Sequence, residues 1–292
     1  MNDHVGRRMK LNIEMYKIGC NILGLSNKIS ASARIDFFRR SFKYAPARCA
    51  HLFLLIENDP RLPAGYEPKH VLWSLYFLTT YAVERRMCLT LKADRVTIRR
   101  FIWPTIYAIA SLCNQFIRWE NRLIGDNGRA AKVTVDGTDF ETVEYSPFNP
   151  GRHSHKFNGP GLRYEIAISV ATCYIVHFNG PFLCGEWTDL RIARNLLHSR
   201  LSSDEYYLAD KGYRCGTGPA IMRTALPPHR RQTFDKLMAR HETINRRFKE
   251  FAILGTRYRH EEEKHVYVFR CIAVLIQIDI ESGHNTFRVT GV

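Results

Sequence analysis

The sequence predicts an α/β fold preceded by a smaller helical region, and three observations carry that expectation. Up to about residue 126, apolar residues recur at the three-to-four spacing of helices. After it, short β-branched segments alternate with helical ones. Between the two stands Gly125-Asp126-Asn127-Gly128, a strong turn and the expected boundary of residues 1–126, helical and basic, from residues 127–292.

In the first part, residues 33–56 have apolar clusters at helical spacing, broken at Pro46. Pro60, Pro63 and Gly65 mark a loop, and Pro68 stands where a first-turn proline belongs, opening a helix over 69–83. Asp94 is placed to cap a helix that reaches Trp103, where Pro104 kinks or ends it. On that helix Arg95 and Arg99 share a face with Arg100 beside them, while Val96, Ile98 and Phe101 are expected to point inward. Helix, turn and arginine-faced helix is the order that a helix-turn-helix reader of DNA requires, and an equally ordinary reading is a solvated basic face.

In the second part, residues 131–136 read as a strand ending at Asp136, followed by the turn residues Gly137-Thr138. Residues 162–170 and 173–178 read as two tightly joined strands, and 205–209 as a further short strand ending at Asp210. Thr188-Asp189 can cap a helix reaching His198. Residues 234–254 form an amphipathic pattern closed by Gly255, and 264–280 is apolar nearly all round, as in a buried helix, although its β-branched content also permits a strand.

Composition narrows the function classes. Of 292 residues, 45% are hydrophobic and 24% charged, as in a protein with a sizeable core. No run approaches the ~18 apolar residues of a membrane span, and the N-terminal stretch lacks the pattern of a secretory signal. The eight cysteines include no C-x-x-C pair, which argues against a zinc ribbon; reduced, mostly buried thiols in an intracellular protein are expected. The net charge is +15, and residues 1–128 hold 20 Lys and Arg against 10 Asp and Glu. Surplus positive charge favours a polyanionic partner, double-stranded DNA among them.

Three acids stand at telling places: Asp136 and Asp210 at the ends of expected strands, Glu242 inside an expected helix. An unpaired buried carboxylate is costly, and a cation removes that cost. All-carboxylate ligation suits Mg²⁺ or Mn²⁺ rather than zinc, and two such ions can serve both the attacking and the leaving oxygen of a phosphodiester. Taken alone, a strand-end aspartate is more often a turn former.

Several ordered motifs raise the reading above that. VDGTDFE (135–141), HSHKFNGPGLRYEIAISV (153–170), NGPFLCGEWTDLRIAR (179–194), LADKGYR (208–214) and ARHETINRRFKEFAIL (239–254) follow one another along the chain. The intervals are 210 − 136 = 74 and 242 − 210 = 32 residues. Together they resemble the Harbinger-like DDE transposases and their superfamily of endonucleases, from about Phe37 to the C-terminus. The resemblance implies an RNase H-like mixed sheet flanked by helices, with the two aspartates on adjacent central strands. Carried over, Asp136, Asp210 and Glu242 become the catalytic metal ligands, and Mg²⁺ or Mn²⁺ the cofactor.

The implied activity is cleavage of phosphodiesters at the ends of a DNA transposon, followed by attack of the freed 3′-hydroxyl on target DNA. It further implies a homo-oligomer that holds two ends, a nuclear location if the host is eukaryotic, and room for a separate DNA-binding partner protein. Lys211, Arg214, His155 and Lys156 are candidates for phosphate contacts, and Asp189 is a spare acid that helix capping explains. An alternative from another class is a domesticated protein that binds DNA without cutting it. A general nuclease of RNA–DNA hybrids fits the motifs less well.

Overall fold

The computed structural model describes residues 2–214, 216, 218–284, 286 and 289. The chain divides into two compact units, one running to Ser111 and including Phe251–Ile253, the other formed by Leu112–Glu250 and the chain from Leu254. The Gly125–Gly128 turn lies within the second unit.

The first unit is helical: α1 (Asn2–Ile22), α2 (Ala31–Phe42), α3 (Pro46–Ile56), α4 (Pro68–Thr80), α5 (Glu84–Leu91) and α6 (Arg95–Ser111). Pro46 and Pro68 each sit in a first turn, where the missing N–H has no intrahelical partner to lose. Gly19 on α1 admits the Phe38 ring, with which a side-chain carbon there would overlap. His70 stacks on Phe101 at 3.6 Å and accepts from the Glu67 backbone N–H through Nδ1 at 2.9 Å. Burial, with the Lys69 charge, holds the His70 imidazole down at about 4, so it stays neutral.

Two sequence expectations need correction here. Pro104 neither ends nor interrupts α6, which continues to Ser111. Buried Ile98, Phe101 and Ile102 before the proline, and Thr105, Ile106 and Ile109 after it, hold both halves on the core. That burial outweighs the ~3 kcal/mol a mid-helix proline costs. Val96 points outward, 77% exposed, because it lies two residues, about 200° of helix, from the inner row that starts at Ile98. Asp94 does cap α6: its Oδ1 accepts from the Thr97 N–H at 2.9 Å.

The second unit opens on the short helix α7 (Cys113–Phe116) and is an α/β layer structure around a mixed sheet. Its strands are β1 (Ala131–Glu141), β2 (His153–Ser154), β3 (Gly159–Ser169), β4 (Ile175–Leu183), β5 (Tyr206–Leu208) and β6 (Ala220–Ile221). The order is β2-β3-β1-β5-β6, with β4 also on β3. β1 runs antiparallel to β3 and parallel to β5, and β5 parallel to β6. β1 is therefore central, with Thr134 in register with Leu208 on one side and Asp136 with Ile166 on the other.

Side chains alternate across a strand, so β1 sends Thr134, Asp136, Thr138 and Phe140 to one face and Val133, Val135, Gly137 and Asp139 to the other. The first face packs on α10 (Pro228–Lys249) and α12 (Glu262–Glu281). Phe269 of α12 stacks on Tyr164 at 3.8 Å and on Phe248 of α10 at 4.8 Å, with Phe140 edge-on to it. Two polar contacts cross this layer: Tyr164 Oη lies 2.8 Å from His265 Nδ1, and Gln277 Oε1 accepts from the Ile175 N–H at 2.8 Å. The second face packs Val133, Val135 and Ala167 against Ala193 and Leu197 of the helical stretch 189–200, and against Trp119. That stretch is α8 (Asp189–Ile192), a π-turn (Ala193–Leu197) and α9 (His198–Arg200). Arg122 and Glu205, both buried, form a bidentate pair beside it at 2.9–3.2 Å.

Several boundaries differ from the sequence reading. β1 does not stop at Asp136 but runs five residues further, because β3 pairs with it to Glu141. α10 begins at Pro228, not Phe234, and ends at Lys249; the next residues form a separate short helix, α11 (Ala252–Gly255). Gly255 is not in the left-handed conformation expected of a helix-closing glycine. The buried helix expected over 264–280 is α12. Of the seven described cysteines all are free and five are buried; Cys215 lies outside the described residues. No helix among the described residues is long and apolar enough to cross a membrane.

Candidate active site

The three acids named from sequence come from three neighbouring elements. Asp136 stands in the middle of the central strand β1. Asp210 lies two residues beyond β5, the parallel neighbour of β1, and its Oδ1 accepts from the Gly212 N–H at 2.8 Å to cap the short 3₁₀ turn Lys211–Tyr213. Glu242 rides on α10, which packs on the same face of β1 that carries Asp136. The side chains of Asp210 and Glu242 are exposed and that of Asp136 is half-buried.

Placement of α10 explains how Glu242 reaches the rim. His241 and Asn245, four residues apart, point at the sheet together with Ile244 and Phe248. His241 Nδ1 is 3.0 Å from Thr134 Oγ1, and Asn245 Nδ2 donates to Asp136 Oδ2 at 2.9 Å. With those two anchored, Glu242 stands one residue off the buried row, at the edge of the helix. Burial and the Arg240 charge push the His241 imidazole down to about 3, so it is neutral and serves as an anchor rather than a charge. Arg240 itself is fixed by donating to the carbonyls of Ser169 and Val170 at 3.0 and 2.7 Å.

The electrostatics tie the acids together. Burial pushes the Asp136 carboxyl up to about 7; the Lys156 charge opposes this, and the charges of Glu242, Asp210 and Asp189 add to it. Lys156 is held over the strand by donating to the Gly137 carbonyl at 2.8 Å. Asp189 is also raised, first by burial, with Arg163 and Lys156 opposing and Asp210 adding. Four carboxylates thus share one field, and two of them lie partly out of water.

Whether this donor set fits a divalent cation can be judged from the same facts. Its atoms are hard carboxylate oxygens, the sort that Mg²⁺ and Mn²⁺ take, and both the burial that chiefly raises Asp136 and the repulsion from its neighbours that adds to it are costs that a cation relieves. The set is open, however: among the described residues no three His, Cys, Asp or Glu side chains stand close enough to enclose an ion. One Asp136 oxygen is bonded to Asn245 and the other to the Gly137 N–H. The donor chemistry fits; the side chains are not drawn onto a common point.

Of the phosphate-contact candidates, Lys156 is at the site through Gly137, and Lys211 and Arg214 flank the Asp210 turn with exposed side chains. His155 is exposed and lies edge-on to His153 at 5.2 Å. Asp189 is not the helix cap: Thr188 is, its Oγ1 accepting from the Arg191 N–H at 3.3 Å.

Sequence reasoning passed over Asn245, His241 and the charged group behind β1. In that group Asp139 is gripped by Arg163 at 2.7 and 2.9 Å and by Ser154 at 2.6 Å. Beside it Glu165 is fully buried and its carboxyl is pushed up to about 8, by burial first and then by the Asp189 charge. A signal for Asn245 was present: a polar residue occupying an inward position of an amphipathic helix, three residues from Glu242.

Compared with family models, with curated proteins and with solved structures, the chain matches none.

Proposed function

We propose that the chain is a divalent-metal-dependent DNA endonuclease and strand-transfer enzyme of the DDE transposase type, its second unit an RNase H-like catalytic domain. The observation that carries this reading is the convergence of charge on Asp136. Burial raises this central-strand carboxyl first and Lys156 opposes it, while Glu242 on the helix packed over the strand and Asp210, just beyond the adjacent parallel strand, add to the rise. Order and spacing of the acids agree with the motifs in the sequence.

In this reading Asp136, Asp210 and Glu242 hold Mg²⁺ or Mn²⁺, which supplies activation of the attacking oxygen and charge neutralisation at the leaving one. The chain's own residues do the remaining work. Asn245 orients the Asp136 carboxylate through Oδ2, and the Gly137 N–H holds its other oxygen. Lys156 brings positive charge to the strand beside the acids, where a scissile phosphate needs it. Lys211 and Arg214 flank the exposed Asp210 and supply further phosphate contacts.

The first unit supplies DNA recognition in the same proposal. α5, the three-residue turn Lys92-Ala93-Asp94 and α6 form a helix pair whose α6 start exposes Arg95, Val96, Arg99 and Arg100. Arg85, Arg86 and Lys92 add exposed cations on and after α5. A helix N-terminal region with protruding arginines is the part of a helix-turn-helix that enters a major groove.

A second reading has one observation in its favour. The acids stand apart rather than caged, as they would in a domesticated protein that binds DNA and no longer cuts. Purified protein, wild type and Asp210→Asn, incubated with Mn²⁺ and supercoiled plasmid, separates the two. Nicking by the wild type, lost at least 100-fold in the variant with DNA affinity unchanged, supports the nuclease. Equal DNA binding with no cutting by either protein establishes the binder.

A further inference from the structure

Glycines follow both site aspartates, Gly137 directly after Asp136 and Gly212 two residues after Asp210. Neither adopts a left-handed backbone, so conformational freedom does not account for them. Space does. A side-chain carbon on Gly137 would overlap Asp189 Oδ1, and one on Gly212 would lie 2.9 Å from Asp189 Oδ2 and 3.0 Å from Asp210 Oδ1. The two oxygens of a single carboxylate thus occupy the places that two missing side chains leave open.

Asp189 is itself held firmly. Thr188 caps α8, which fixes Asp189 as its first residue, and α8 packs on the turn Lys211–Tyr213. Arg163 Nη1 approaches Asp189 Oδ1 to 3.4 Å while donating to the Trp187 carbonyl at 3.0 Å. The rest of the guanidinium is locked onto buried Asp139. Asp189 Oδ1 is buried and accepts no hydrogen bond, its charge being met only by the Arg163 guanidinium at 3.4 Å.

We propose that Asp189 is a positioning residue, a wedge that sets the separation and orientation of the β1 segment bearing Asp136 and the turn that follows Asp210. Its effect on cation binding rests on the metal-nuclease reading; its effect on these two segments does not. Asparagine has the same shape and fills the same space, whereas alanine leaves it empty. Alanine at position 137 drives the wedge out from the other side while removing no carboxylate.

The test uses the full chain as wild type, Asp189→Ala, Asp189→Asn and Gly137→Ala, with circular dichroism to check folding. Amide hydrogen exchange at residues 136–138 of β1 and 210–213 of the turn, without metal, reads the two segments. Mn²⁺ titration by calorimetry reads the site. Asp189→Ala and Gly137→Ala should exchange at least tenfold faster in both segments, with α12 unchanged, and bind Mn²⁺ at least tenfold more weakly. Asp189→Asn should stay within threefold of wild type in both measurements. Wild-type exchange in Asp189→Ala overturns the proposal. So does an Asp189→Asn that loses Mn²⁺ as completely as Asp136→Asn, since Asp189 is then a ligand. A wild type that takes no Mn²⁺, with segments that still loosen in Asp189→Ala, defeats the nuclease reading and upholds the wedge.

Discussion

Asn245 donates through Nδ2 to Asp136 Oδ2 at 2.9 Å, linking the helix that bears one site acid to the strand that bears another. The bond is charge-assisted whenever Asp136 is ionised, and it fixes which oxygen faces Glu242's helix. Groups that orient a metal ligand typically influence activity by ~10–100-fold. Asn245→Ala is therefore expected to lower the cutting rate within that range while the protein stays folded. Asn245→Asp, which puts a further negative charge against Asp136, should be worse than alanine. Single-turnover nicking rates with Mn²⁺, alongside thermal melts, check both; equal rates for wild type and Asn245→Ala would remove Asn245 from the site.

Glu165 gives the fold a built-in pH dependence. Its carboxyl titrates at about 8 when buried, against an ordinary value of 4.5, with Asp189 and Tyr213 facing it. Above pH 4.5 the unfolded chain releases this proton while the folded chain keeps it, so stability falls as pH rises towards 8 and then levels off. Glu165→Gln carries no proton to lose. It should melt higher than wild type by on the order of a few degrees at pH 8, and at the same temperature at pH 4. A variant that tracks wild type at both pH values contradicts this assignment.

The arginines at the start of α6 are expected to act on DNA affinity and not on the chemistry. Each phosphate contact removed should shallow the slope of log affinity against log salt by about 0.9. Arg95→Ala with Arg100→Ala should weaken binding and flatten that slope by roughly two units if both touch phosphates. Arg99 is paired to Glu84 on α5. Fluorescence anisotropy on a DNA duplex across a salt series provides the measurement. An unchanged slope would mean that this face is merely solvated.

How much of this was legible in the sequence differs by element, for physical reasons. The strand at 131–136 was readable from its β-branched residues, and the helix at 264–280 from an apolar run of helical length that is buried almost throughout. The extension of β1 to Glu141 was not, since Gly137 and Asp139 are poor strand formers and only pairing with β3 keeps them extended. Pro104 misled in the same way, with tertiary burial overriding a local breaker. Motif spacing picks out Asp136, Asp210 and Glu242, whereas the sequence around Asp189 suggests only a helix cap, because its contacts are with residues 52 and 23 positions away, 189 − 137 and 212 − 189. Local patterns carry no information on such partners.

The anchoring of α10 has a consequence for how the gene can change. His241, Asn245 and Phe248 lock the rotation of that helix against the sheet. One residue inserted between His241 and Asn245 would swing everything beyond it by about 100°. Such an insertion would uncouple the two anchors from one another and leave Glu242 with only half of its present mooring. Length changes inside this one helical turn are thus expected to be ruinous.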